Sequence, residues 1–214
     1  MEMKKRIFKW GPFVYNGMMS PEDLKLLNKL CIKNKKLDAR KTLAATIKQE
    51  YFINLKKFHE ITLKYYKDFI IDFSKYYNTG VTNLNLESAW VNFMKAGECN
   101  PPHIHTGCNL SSVWFVKVPE KLRKEHAKYQ GTIKDGGPGA ISFMHGSHSQ
   151  FCIDEQRVFP EEGMFFIFPF NLKHYVTPFL SKVERVSVAA NYTINVTSKA
   201  KHSGFFGFYE KNKI

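Results

Sequence analysis

Hydrophobic positions recur every three or four residues between Ser20 and about Tyr77, which predicts helices in this part of the chain. Ser20 precedes Pro21 and two acidic residues, a combination typical of a helix N-terminus. Farther on, one largely aromatic stripe predicts a helix of about seven turns that ends at Asn78-Thr-Gly80. Its members are Tyr51, Leu55, Phe58, Thr62, Tyr65, Phe69, Phe73 and Tyr76. Such a face has to be buried, and the second half of the chain is the expected partner.

After Gly80 the hydrophobic period changes to two, which indicates β-strands separated by Gly, Pro, Asn and Asp. The predicted strands are 88–95, 111–118, 131–134, 140–145, 164–168, 175–179 and 185–193. Residues 119–129 are expected to form a charged helix or excursion. Many short strands in a row are typical of an antiparallel sandwich or barrel of the jelly-roll type. The predicted class is therefore α+β.

This division predicts one domain over residues 1–214 without a linker or an internal repeat. Residues 1–82 would form an N-terminal helical support segment, residues 83–198 the β core, and residues 199–214 a C-terminal tail. A hydrophobic content of 43% and an aromatic content of 15% fit a folded protein.

The net charge of +13 raises the question of an anionic partner. Residues 1–82 carry 17 Lys and Arg against 8 Asp and Glu, so the excess lies mainly in the helical segment. These helices could meet an acidic partner or nucleic acid. However, lysines outnumber arginines 27 to 5, whereas phosphate-binding and base-reading surfaces usually also use arginine. A solvated basic surface is the favoured interpretation.

The chain shows none of the usual signs of secretion or membrane insertion. Its longest apolar run, residues 163–169, is far shorter than the roughly 20 residues that span a bilayer. The basic N-terminus lacks the apolar region of a signal peptide. Four cysteines without a C-x-x-C pair are too few for a disulfide scaffold. We therefore expect a cytoplasmic protein without a membrane partner, in the host cytoplasm if a phage encodes it.

Two histidines stand one residue apart after a Pro-Pro pair. Residues i and i+2 of a strand point to the same face, so His103 and His105 can direct two imidazoles at one point. His174 follows a turn at the start of a predicted strand and is the first candidate for a third ligand. His145 and His148 form a second, weaker group. Taken alone, H-x-H fits a metal site and a polar strand edge equally well.

An arginine and a serine share one face of a strand otherwise filled with Val and Ala. Arg185 would thus lie in or beside an apolar region, where an unpaired charge is very costly. A ligand carboxylate held by its guanidinium group and by the hydroxyl of Ser187 would satisfy it. A salt bridge to Asp or Glu is the alternative.

In this order the motifs resemble the Fe(II)/2-oxoglutarate-dependent dioxygenases, and are most similar to a small phage and bacterial group of them. The resemblance spans about residues 87–195, roughly half of the chain. The matching blocks are residues 90–92, 103–105, 110–119, 162–169, 174–178 and 184–191.

The resemblance implies a double-stranded β-helix (jelly-roll) core with the N-terminal helices packed on one sheet. It implies Fe(II) and 2-oxoglutarate as cofactors and O2 as co-substrate, with succinate and CO2 released. The substrate to be hydroxylated is unidentified: a protein side chain, a nucleobase or a metabolite. The implied metal ligands are His103, His105 and His174. The implied cofactor-binding residues are Arg185, Ser187, Trp114 and Asn92, although core packing would equally explain Trp114.

One position departs from the wider family, which has Asp or Glu where this chain has His105. A second register would make His105 the first ligand and place Gly107 at the open position, as in the related halogenases. Two other classes also fit parts of the pattern. One is a cupin-like three-histidine metal protein without 2-oxoglutarate chemistry. The other is a structural zinc site of Cys99, His103, His105 and Cys108 in a nucleic-acid-binding module.

Overall fold

The computed structural model describes residues 11–131 and 137–198. β-Strands are the commonest regular structure in this part of the chain, which also has three α-helices and two short 3-10 helices, Lys35–Leu37 and Arg40–Thr42. In chain order the elements are β1 (Tyr15–Met18), α1 (Pro21–Leu30), β2 (Glu50–Phe52), α2 (Leu55–Tyr77), β3 (Thr79–Lys95), β4 (Asn100–His103), β5 (Leu110–Lys117), α3 (Glu120–Ala127), β6 (Ile141–Met144), β7 (Glu155–Val158), β8 (Met164–Pro169), β9 (Lys173–Val176) and β10 (Glu184–Ser198).

The strands form two antiparallel sheets. The six-stranded sheet has the order β1-β8-β5-β10-β3-β2, and the four-stranded sheet has the order β4-β9-β6-β7. An apolar core joins their facing surfaces, with Met94, Phe115 and Phe168 from the large sheet and Phe143 and Val176 from the small one. The predicted antiparallel β architecture with few helices is confirmed.

Helix α2 covers the outer face of the six-stranded sheet. Its side chains Phe58, Tyr66 and Phe69 are buried in one cluster with residues of β3, β5, β8 and β10. The Phe58 ring meets the indole of Trp114 edge to face at 6.1 Å between centroids. The helix thus stabilises the sheet from outside, while the opposite sheet face stays available for a site.

Capping residues form the predicted start of α1 and the predicted end of α2. Ser20 Oγ accepts a hydrogen bond from the Asp23 N–H at 3.2 Å at the start of α1. At the end of α2, Asn78 adopts a left-handed conformation with φ 51°, as the sequence predicts. The start of α2 differs from the predicted one, which included Tyr51 in the helix. Tyr51 pairs with β3 as part of β2, and the helix begins at Leu55 after the cap residue Asn54.

Several strands differ from their predicted bounds. Strand β3 begins at Thr79 because its polar first half pairs with the end of β10, a long-range contact without a local signal. Strands β1, β2, β4 and β7 were not predicted; they are only three or four residues long, and β4 contains two prolines. The predicted strand 131–134, apart from Gly131, and the predicted tail 199–214 lie outside the described residues.

No helix within residues 11–131 and 137–198 combines the length and apolar character needed to cross a membrane.

Replacing Phe69 by Ala should lower the free energy of unfolding by about 3–5 kcal/mol, because it leaves a cavity between α2 and the sheet. Urea denaturation followed by circular dichroism measures this change. Ile71, exposed on the same helix, provides the control: Ile71→Ala should change stability by less than about 1 kcal/mol. Equal losses in the two variants would contradict the packing described here.

Candidate active site

Three histidines converge in the space between the two sheets. His103 ends β4, and His174 in β9 is its direct partner in the antiparallel register. His105 lies two residues beyond, where its N–H donates to the carbonyl of Phe170 at 2.9 Å. The possible ligand atoms of the three side chains all lie within 4.8 Å of one another, and Nε2 of His105 is 3.2 Å from Nε2 of His174.

Hydrogen bonds to backbone carbonyls define the tautomers of two of these rings. Nδ1 of His103 is 2.7 Å from the carbonyl oxygen of Pro101, and Nδ1 of His174 is 2.8 Å from that of Leu172. A carbonyl can only accept, so Nδ1 carries the proton in both rings. The lone pair of Nε2 is then left for a metal, an arrangement common among metal-binding histidines.

Burial keeps all three imidazoles neutral. It lowers the pKa of His174 to about 4, and with the neighbouring His174 and His103 it lowers the pKa of His105 to about 3. The pKa of His103 is lowered too, again mainly by burial. Neutral imidazole is the form that binds metals. Two ligands at right angles on a metal at ~2.1 Å are ~3 Å apart, so the 3.2 Å separation suits adjacent ligands.

The three residues therefore fit a metal that accepts imidazole ligands, such as iron, zinc, copper or nickel. Phe143 and Phe168 pack beside His174, with the Phe168 ring centroid 4.7 Å away. This apolar surrounding orients the ring and limits the access of water.

Arg185 lies on the inner face of β10 and is almost completely buried, with 2% of its surface exposed. Its Nη1 donates to the carbonyl of Gly139 at 3.0 Å, whereas its Nε has no hydrogen-bond partner among the described residues. Burial lowers the pKa of the guanidinium group to about 10, so it remains charged at neutral pH. None of the ion pairs formed within residues 11–131 and 137–198 involves Arg185, so the salt-bridge alternative is not found in this part of the chain. A buried cation in this state requires an anionic ligand.

Arg185 and the histidines line the same small cavity of ≈ 40 Å³. Ser187 and Asn92 also line it; they are direct partners in the pairing of β10 with β3. The side-chain oxygen of Asn92 is buried without a partner among the described residues. Six of the seven residues selected from the sequence thus lie around one space.

The structure does not bring Trp114 to this space, which corrects the position expected for it. On β5, Val113 and Phe115 face the small sheet, and the alternation of the strand turns Trp114 toward α2. Its indole donates to Ser112 Oγ at 2.9 Å and stacks on Phe165 at 4.3 Å between centroids.

A larger cavity of ≈ 360 Å³ adjoins the histidines and was not predicted from the sequence. Trp90 and Glu50 contribute to its wall together with the loop after Arg40–Thr42. Glu50 belongs to the unpredicted strand β2, so no sequence pattern singled it out. The cysteines of the zinc alternative are not in the histidine cluster: Cys99 contacts Thr46, and Cys108 is half-buried elsewhere.

Comparison with known proteins agrees with this geometry. Residues 88–191 match the family model described as "Putative 2OG-Fe(II) oxygenase". No curated protein sequence matches the chain. The fold is similar to that of a viral collagen prolyl hydroxylase from Paramecium Bursaria Chlorella virus-1, solved with 2-oxoglutarate, at 14% identity and a TM-score of 0.54, covering 85% of this chain and 96% of that one.

Two further solved structures share the fold. A prolyl-4-hydroxylase from Pseudomonas putida is 14% identical, with a TM-score of 0.54 and coverage of 84% of this chain and 91% of that one. HygX from Streptomyces hygroscopicus, solved with nickel, 2-oxoglutarate and hygromycin B, is 12% identical, with a TM-score of 0.51 and coverage of 86% and 82%. Residues 88–191, just under half of the chain, thus match the family of Fe(II)- and 2-oxoglutarate-dependent oxygenases. Its cofactors are accordingly Fe(II) and 2-oxoglutarate, with O2 as co-substrate.

The low histidine pKa values should make the metal-free protein less stable in acid. Unfolding returns His105 and His174 to a pKa of about 6.5, so below that pH the unfolded state binds more protons. Stability should therefore fall as the pH drops from about 6.5 toward 4. Urea denaturation with a chelator present measures the free energy of unfolding at several pH values. The slope of this free energy against pH gives the number of protons taken up on unfolding.

The double variant His105→Gln, His174→Gln is the comparison. At pH 5 it should take up about two protons fewer on unfolding than the unaltered protein. An unchanged slope would show that these histidines are not held neutral in the folded state.

Proposed function

We propose that this oxygenase binds Fe(II) through His103, His105 and His174 and anchors 2-oxoglutarate through Arg185 in order to hydroxylate its substrate. The observation that carries the proposal is the buried guanidinium group of Arg185, which has no anionic partner among the described residues and lines the same cavity as the three histidines.

The chain's own residues account for the binding of 2-oxoglutarate. Arg185 offers N–H donors in a planar fork that suits the distal carboxylate, and its burial strengthens that interaction. Ser187 lies two residues along the same strand face and would donate its hydroxyl to that carboxylate. The amide of Asn92, opposite Ser187, would orient the co-substrate from the neighbouring strand.

The histidines would hold the metal at the end of this cavity. Nδ1 of His103 and His174 stays protonated against the carbonyls, so neither ring has to lose a proton before binding. Fe(II), when bound, supplies the redox chemistry that couples O2 to the decarboxylation of 2-oxoglutarate to succinate and CO2. His105 would serve as ligand where most of the wider family has a carboxylate. The register with Gly107 is less well supported, since all three histidines already converge.

We also propose that the two facing sheets form a double-stranded β-helix, with residues 1–82 supporting a core of residues 83–198 in a single domain. The packing of α2 on the large sheet supports this division. The relatives include prolyl hydroxylases and a structure with bound hygromycin B, so peptide side chains and small molecules are both reasonable substrate classes. An acidic partner at the basic helices stays a prediction, and Arg40 there already pairs with Asp38.

A cupin-like protein without 2-oxoglutarate chemistry would account for the three histidines. It would give no reason to bury Arg185 beside them at the free-energy cost of an unpaired charge. The oxygenase is therefore the better-supported function.

Arg185→Ala should abolish binding of 2-oxoglutarate while leaving metal binding intact, because it removes the carboxylate anchor and none of the proposed ligands. Adding Fe(II) and 2-oxoglutarate under anaerobic conditions should give the unaltered protein a weak visible charge-transfer band, and the variant none. Succinate formation in air should fall at least about a hundredfold, in line with loss of a buried charge pair.

Arg123→Ala on α3 is the matched control, since it removes an arginine from outside the cavity and should keep the band. Tight metal binding without any band or succinate in the unaltered protein would favour the cupin-like alternative.

Cys99→Ser and Cys108→Ser should leave metal affinity within about threefold of the unaltered value, because neither thiol lies in the histidine cluster. His174→Ala should lower it at least about a hundredfold. Titration with Fe(II) under anaerobic conditions measures both. Loss of metal binding in the cysteine variants would instead support the zinc site.

A further inference from the structure

The cavity of ≈ 360 Å³ adjoins the histidine cluster. His103 and His105 line both this cavity and the small cavity with Arg185, whereas Arg185 and Ser187 line only the small one. A molecule in the large cavity would therefore lie next to the metal without occupying the proposed site of 2-oxoglutarate. This inference rests on the proposed function, in that it takes the large cavity as the place of the substrate.

One buried carboxyl group in this wall has an oxygen without a hydrogen-bond partner among the described residues. Glu50 is 1% exposed, and its Oε2 has no hydrogen bond from any described residue. Strand β2 pairs with β3 so that Glu50 lies directly opposite Asn92, whose side chain lines the small cavity. Opposite residues of an antiparallel pair share a face, so Glu50 is directed into the space between the sheets.

The surroundings of Glu50 are electrostatically negative. Burial, reinforced by the nearby carboxyl group of Glu98, raises the pKa of Glu50 to about 7. Glu98 is itself buried and accepts hydrogen bonds from the N–H groups of Lys48 and Lys95. Arg40, the cation that acts on Glu50, is bound to Asp38 through two of its nitrogens. A positive charge entering the cavity would therefore relieve an unfavourable arrangement.

Two aromatic side chains complete this part of the wall. Phe52 and Trp90 are direct partners on β2 and β3, two residues along from Glu50 and Asn92, and therefore on the same face. Both line the large cavity. A carboxylate next to aromatic rings is the combination that proteins use to bind alkylammonium and guanidinium groups.

We propose that the substrate enters the large cavity with a cationic nitrogen group, an alkylammonium or a guanidinium, held by the carboxylate of Glu50, while its apolar stem lies along Phe52 and Trp90. The substrate class is thus a basic compound or a basic side chain with an aliphatic or aromatic portion. The carbon to be oxidised lies on that stem, toward His103 and His105.

The two buried charged groups would then direct 2-oxoglutarate and the basic substrate to different cavities. Arg185 attracts the dianionic 2-oxoglutarate into the small cavity, and Glu50 disfavours it in the large one. A basic substrate is repelled by Arg185 and attracted by Glu50. This opposition would keep each molecule in its own cavity.

Three probes of similar size test the charge preference: 2-phenylethylamine, which is cationic, 2-phenylethanol, which is neutral, and 3-phenylpropionate, which is anionic. Their binding to the protein loaded with Fe(II) and 2-oxoglutarate is measured by anaerobic calorimetry. We expect the amine to bind at least about tenfold more tightly than the alcohol and the anion to bind most weakly. Equal affinities of the amine and the alcohol, or a preference for the anion, would overturn the proposal.

Glu50→Gln keeps the shape of the side chain and removes its charge. It should reduce the advantage of the amine over the alcohol to less than about threefold. Glu87→Gln is the matched control: it makes the same change at an exposed position of β3 and should keep the advantage. An unchanged preference in Glu50→Gln would show that another group binds the amine and would refute the role of Glu50.

The visible charge-transfer band of the protein with Fe(II) and 2-oxoglutarate distinguishes a failure of this inference from a failure of the proposed function. A band in the unaltered protein together with no amine preference contradicts only the basic substrate class. No band contradicts the proposed use of 2-oxoglutarate, and the comparison of amine and alcohol with the metal-free protein still decides the role of Glu50. The first comparison uses the unaltered protein, so it does not depend on the folding of any variant.

Discussion

The pairing of β10 with both β3 and β5 is the interaction on which the rest of this structure depends. The strand lies inside the six-stranded sheet, so both of its edges are hydrogen-bonded. Its alternation sends Val186 and Val188 to the core under α2, and Arg185 and Ser187 into the space between the sheets. One strand therefore builds the core on one face and the proposed co-substrate site on the other. A shift of one residue in the register of β10 would exchange the side chains on its two faces and would disrupt both the core and the proposed site.

The site contains buried polar atoms that make no hydrogen bond to any described residue and therefore do not stabilise the fold. Arg185 Nε, Glu50 Oε2 and Asn92 Oδ1 are all buried without partners among the described residues. Each such group costs free energy in the folded protein, which the aromatic packing of α2 on the sheet offsets. A ligand that satisfies them recovers this cost on binding, and that recovery is a source of its affinity and selectivity.

The proposed ligands could be found in the sequence because each carries a local signal. His103 and His105 follow a Pro-Pro pair at fixed spacing, and Arg185 stands out as a charge among Val and Ala. Trp114 shows the limit of such reasoning. Trp114 lies on β5, within the region that resembles the oxygenases. The register of β5 with β8 and β10 decides which face of the sheet its side chain occupies. Glu50 had no signal, because a three-residue strand has no readable period.

The sequence by itself determined the change from helices to antiparallel strands, two helix ends, the three histidines and the arginine, because periodicity, capping and spacing are local properties of the chain. Only the tertiary structure decided that His174 stands opposite His103, that Trp114 faces away from the cavity and that Glu50 lines it. These relations join residues far apart in the chain. They are fixed by strand register and by the packing of two sheets, neither of which a local pattern contains.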